Sequence, residues 1–113
     1  MASKPFKERD NIHCPAAYTL SILGGKWHVP ILWTLKHNRV MRYNELRREI
    51  EGITNIMLTQ TLKDLEQLDL IHREQFNEIP PRVEYSLTED GGSLLDSVAE
   101  LAKWGRKHLE KQK

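Results

Sequence analysis

The hydrophobic period of this chain changes at Leu70. Upstream, MLTQTLKDLEQL places Leu58, Leu62 and Leu65 at helical spacing, with Ile56, Gln60, Lys63 and Gln67 on the reverse face. Downstream, LIHREQF and RVEYSL alternate as strands do. In the second, Val83, Tyr85 and Leu87 share one side and Arg82, Glu84 and Ser86 the other. Between them lies NEIPP, whose two prolines cannot donate to a strand ladder and so mark the tip of a hairpin. A helix that runs directly into a proline-tipped ribbon is compatible with few architectures.

The flanking segments narrow the choice. Pro15 suits a first helical turn, and AAYTLSIL reads as a short helix ended by Gly24-Gly25. A second helix starts at Trp27, with Trp27, Ile31 and Leu35 in one stripe beside Leu32; Pro30 then has to lie in its first turn. RVMRY is a short extended piece. YNELRREI is a third helix with Asn44 as cap and Leu46 and Ile50 inward, and EGIT holds a glycine turn. Thr54 or Asn55 caps the leucine-striped helix. Thr88 caps the last and longest one. There Leu94, Val98 and Leu101 form one apolar row, which suits the core, and Leu95, Ala102 and Leu109 form a second. This order describes a mainly α fold with a two-stranded β wing: a winged helix-turn-helix with an added C-terminal helix.

Length and composition agree with one domain. At 113 residues the chain should bury roughly 65% of its unfolded surface, enough for a core without staples. Residues 1–13 read as a charged, flexible arm and 14–113 as the domain. Cys14 is the single cysteine, which precludes an intrachain disulfide and fits a reducing, cytoplasmic setting. No apolar run approaches the ~20 residues of a membrane span, and MASKPFKERDNIH is too polar for a signal peptide. The net charge of +1 announces no partner, and residues 39–86 carry seven Lys/Arg against nine Asp/Glu. A nucleic-acid site therefore depends on how charges are placed on one face.

The stretches CPAAYTLSILGGKW, RYNELRREIEGIT, MLTQTLKDLEQLDLIHR and PPRVEYSLTEDG, in this order, resemble the HxlR family of bacterial winged-helix transcription regulators, relatives of the MarR type. The resemblance runs from Cys14 to the last helix. It implies a homodimer on inverted-repeat operator DNA and a family in which the cysteine before that proline senses oxidants or electrophiles in several members; the expected role is that of a repressor, although the sequence itself does not distinguish repression from activation. At Asp69 the family usually has glycine, ending the recognition helix in a left-handed turn that Asp enters less easily.

In a helix-turn-helix the second helix reaches base edges in the major groove, its N-terminal half leading. Asn55, Met57, Thr59 and Gln60 lie at that end or off the leucine stripe, with Thr54 at the helix start. Asn and Gln can pair with adenine at two points, and a Met side chain or Thr methyl can touch a thymine methyl. Lys63, a turn further on, suits phosphate. Arg42 and one of Arg47 and Arg48 read as phosphate anchors, although either of the last two can instead pair with Glu45 or Glu51. Arg82, next to the two prolines, is placed to enter or grip the minor groove.

The last helix carries more apolar surface than so small a domain covers. Leu95, Val98, Ala102, Trp104 and Leu109 are therefore assigned to a dimer interface, with dimerisation elements at 15–24 and 89–110. Cys14 lacks companions for a metal site, and no enzyme signature accompanies it, so no catalytic role and no cofactor are expected. A helix N-terminus favours thiolate, the form that attacks oxidants and electrophiles. Three readings stay open: a DNA-binding regulator switched through Cys14, one switched by a small molecule with Cys14 as packing, and a winged-helix protein-docking module.

Overall fold

A computed structural model describes residues 14–113; the arm assigned to 1–13 lies outside the described residues. The elements are α1 (Pro15–Leu23), α2 (His28–Asn38), β1 (Val40–Arg42), α3 (Tyr43–Glu49), α4 (Asn55–Gln67), β2 (Ile71–Phe76), β3 (Arg82–Leu87) and α5 (Glu89–Lys111). Pro30 occupies the third position of α2, inside the first turn as its chemistry demands.

The wing has three strands where the sequence indicates two. β3 is central, antiparallel to β2 on one side and to β1 on the other, with Met41 opposite Tyr85 and Arg73 opposite Tyr85 across the other edge. β1 lies in RVMRY, read from sequence as extended; its pairing with β3 is what the pattern does not signal, because in three residues only Met41 points inward. The helix α3 also starts differently: Asn44 is inside it, and Glu45 Oε1 accepts the Arg42 backbone N–H at 2.8 Å instead.

The core gathers around α2 and α4. Ile31, Leu32, Leu35, Leu46, Leu58, Leu65, Ile71 and Leu95 are all but wholly enclosed. The α4 N-terminus is capped by Thr54, whose Oγ1 accepts the Met57 N–H at 3.2 Å. At the C-terminus, Asp69 takes the left-handed conformation (φ 59°) that glycine would adopt more easily, and the Leu70 N–H returns to the Leu65 carbonyl at 3.0 Å. His28, buried on α2, joins α4 through Nε2 to Asp64 Oδ2. Gly25 makes room for that ring: a Cβ there would stand 1.9 Å from His28 Nδ1.

The chain crosses from wing to last helix at one tight junction. Thr88 Oγ1 donates to the Asp69 carbonyl at 2.7 Å and accepts the Gly91 N–H at 3.0 Å, while the Thr88 N–H reaches the Leu70 carbonyl at 3.1 Å. From there α5, with 23 residues about 34 Å long, packs its first turns on α2 and β3 and then leaves the domain. This corrects two sequence assignments. Leu95 is buried in the protomer core and cannot meet a second subunit, whereas Leu101, assigned to the core, is 53% exposed. Helical phase is legible in the apolar rows; the point at which the helix outruns its support is not. Ala102, Trp104 and Leu109 are exposed and Val98 is half-buried.

Candidate nucleic-acid interface

The helices α3 and α4 are joined through a turn at Gly52 (φ 86°), and Ile53 anchors the turn in the core. With Leu58, Leu62 and Leu65 facing inward, α4 turns Asn55, Ile56, Met57, Thr59, Gln60 and Lys63 outward, all exposed. The polar residues singled out from sequence thus share one accessible helix surface, near the N-terminus that enters a major groove. Ile56, 72% exposed, belongs to the same surface. It is absent from the sequence-based set, although its position on the reverse face beside Gln60 and Lys63 signals it.

Tyr43, also unassigned from sequence, ties this surface together. It sits half-buried at the start of α3 with its hydroxyl 3.0 Å from the Asn55 carbonyl, 3.2 Å from Asn55 Oδ1 and 3.0 Å from Thr59 Oγ1. Asn55 and Thr59 are therefore held side chains.

The cations sit around this helix. Arg42, Arg47, Arg48 and Lys63 are exposed, and none has an acidic partner within ion-pair distance among the described residues. The pairing of Arg47 or Arg48 with Glu45 or Glu51 does not occur there. A cleft of about 760 Å³ opens between the start of α3 and the wing, lined by Arg42, Arg48 and Arg82.

Arg82 differs from expectation. It is the first residue of β3, directly opposite Phe76, and its guanidinium lies 4.2 Å from that ring's centroid. Nη1 meets Glu78 Oε2 at 3.0 Å and Nε meets Glu84 Oε2 at 3.1 Å. Its charge is committed within the hairpin, where it clamps the tip instead of projecting from it. The wing tip presents Ile79, wholly exposed, followed by Pro80 and Pro81.

Cys14 is exposed immediately before α1, where its carbonyl accepts the Tyr18 N–H at 3.0 Å. Among the described residues no group of three or more His, Cys, Asp or Glu side chains could hold a metal ion, and no helix is long and apolar enough to cross a membrane.

This geometry has close counterparts. Residues 22–113 match the family model for HxlR-like helix-turn-helix proteins. An HTH-type transcriptional regulator of Halalkalibacterium halodurans, BH0655, is 41% identical over 108 residues, covering 96% of each chain. Among solved structures, the redox regulator HypR in its oxidized form is 40% identical with a TM-score of 0.72, over 83% of this chain and 96% of that one. The reduced form of the transcriptional regulator YodB from B. subtilis is 33% identical with a TM-score of 0.74, over 82% and 91%. With a winged helix-turn-helix, an added C-terminal helix and this run of matched residues, the chain belongs to the HxlR-like helix-turn-helix family of DNA-binding transcriptional regulators and is not an enzyme.

Proposed function

We propose that this protein is a homodimeric repressor that reads an inverted-repeat operator with α4 and is released from it when Cys14 is oxidised or alkylated. The observation that carries the DNA reading is the single exposed surface formed by Asn55, Ile56, Met57, Thr59, Gln60 and Lys63, flanked by Arg42, Arg47 and Arg48 without acidic partners among the described residues. Gln60 is the residue on it best suited to two-point contact with adenine. The arginines suit phosphate, which positions the helix without reading sequence.

The test is binding to the promoter upstream of the protein's own gene, compared with random duplex of equal length. Gln60→Ala is expected to cost about 1–3 kcal/mol on the operator and to leave random DNA unaffected. Equal losses on both would remove base reading from Gln60. Absence of binding by the wild type to any promoter would favour a protein-docking module.

The thiol switch is supported by the exposure of Cys14 at a helix start and by the likeness to a structure named as a redox regulator. A peroxide turns the thiolate into a sulfenic acid, which condenses with a second thiol to a disulfide and water. With one cysteine per chain, that thiol is either Cys14 of the other subunit or a small-molecule thiol. Diamide, which takes two electrons from two thiols, is expected to weaken operator binding of the wild type and not of Cys14→Ser. Equal sensitivity in both proteins assigns Cys14 to packing and points to a small-molecule effector.

A further inference from the structure

The hydrogen bonds around Tyr43 fix more than the pose of α4. We infer that Tyr43 is a positioning residue that turns the hydroxyl of Thr59 inward, so that α4 presents the Thr59 methyl group to the DNA and selects thymine at that step. The inference rests on the assignment of α4 to base reading.

A phenol has one proton to give. Its oxygen lies 3.0 Å from the Asn55 backbone carbonyl, which can only accept, and 3.2 Å from Asn55 Oδ1. Without a proton between them, these oxygens would repel. The phenol proton therefore points toward Asn55. The contact at 3.0 Å between Tyr43 and Thr59 Oγ1 then needs its proton from the threonine. Reorienting the Asn55 amide does not alter this, because the backbone carbonyl still takes the phenol proton. Thr59 thus has its one donor directed at Tyr43. The residue is exposed and has no proton to give a base, and the apolar group it can offer is the methyl. In the major groove the apolar group that distinguishes one base is the C5-methyl of thymine. Helix α4 accordingly reads by two chemistries, hydrogen bonding at Gln60 and methyl contact at Thr59.

The Tyr43 ring cannot be exchanged silently for phenylalanine on this account. Loss of the phenol oxygen frees the Thr59 hydroxyl to rotate outward and removes the tie on Asn55, while the packing of the ring is kept.

Selection from a randomised duplex library, read as the base preference at each half-site position, tests this. The wild type is expected to prefer thymine at one position about fourfold, the scale of one buried methyl group. Thr59→Val, which keeps a methyl, retains that preference. Thr59→Ser, which removes it, loses the preference, and Tyr43→Phe reduces it with affinity for random DNA and the salt slope unchanged. Thermal melting of each variant reports that it is folded. A preference kept by Thr59→Ser and lost by Thr59→Val would mean that the hydroxyl reads the base and would overturn the inference, as would a Tyr43→Phe profile identical to the wild type. A wild type that selects no sequence at all overturns the operator reading together with this inference; the other two outcomes overturn this one alone.

Discussion

Replacing Leu101 and Trp104 together by glutamate is expected to yield a folded monomer that binds its operator about 10²–10⁴-fold more weakly than the wild type. After Ala99, α5 has left the domain, and Leu101, Trp104 and Leu109 are 53%, 67% and 65% exposed. Trp104 is stacked on His108, ring centroids 4.8 Å apart, which gives the patch a broad, preformed face. Leu20 on α1 is a further exposed apolar side chain at 60%. A projecting helix with this much apolar surface matches the anchors of a permanent interface, where Trp and Leu are enclosed by a second copy. None of these side chains supports the protomer core, so the glutamates act on association and not on folding. Two linked α4 helices bind two half-sites with the second contact made intramolecular, and a monomer forfeits that gain. Sedimentation at micromolar concentration reads the first half of the prediction, and titration of operator DNA reads the second. A double variant that still sediments as a dimer places the interface elsewhere.

The order of elements was legible because it depends on local pattern. The stripe of Leu58, Leu62 and Leu65 faces the core as its spacing implies. The hairpin turns at NEIPP, and Thr54 caps α4 with its own hydroxyl. What escaped depends on distance through space. Arg82 reads as a free cation beside two prolines, yet cross-strand register sets it opposite Phe76 and between Glu78 and Glu84. Tyr43 reads as an ordinary aromatic at a helix start; its role exists only because α4 brings Asn55 and Thr59 under its hydroxyl. Leu95 and Leu101 were exchanged between core and surface because an apolar row has a phase but no record of where its support ends. The candidate site was thus legible as a set of residues exposed on α4, and illegible in the contacts that orient them.

The two neighbouring glycines of α5 are expected to respond to alanine with opposite signs. A Cβ on Gly91 would stand 2.1 Å from the Leu70 carbonyl oxygen and 3.1 Å from both the Leu70 carbonyl carbon and Leu87 Cδ2. The oxygen cannot step aside, because it accepts the Thr88 N–H, and the Asp69 carbonyl beside it accepts the Thr88 hydroxyl. Those bonds tie the turn between α4 and β2 to the residue that caps α5. Gly91→Ala must therefore push α5 off the junction, at a cost of about 3 kcal/mol, the upper range for overpacking. For a domain of this size that lowers the thermal midpoint by roughly 10–20 °C. A Cβ on Gly92 meets nothing within 4 Å. Gly92→Ala should accordingly stabilise by roughly 0.5–1 kcal/mol, through the helical entropy that glycine forgoes. Because association raises the midpoint with concentration, both variants and the wild type have to be melted at one protomer concentration. Equal midpoints for Gly91→Ala and Gly92→Ala would mean that α5 docks with slack. In that case its direction is not set at the Leu70–Gly91 contact. A large loss confined to Gly91 makes that contact the one that fixes the seat of α5 against the Leu70 carbonyl.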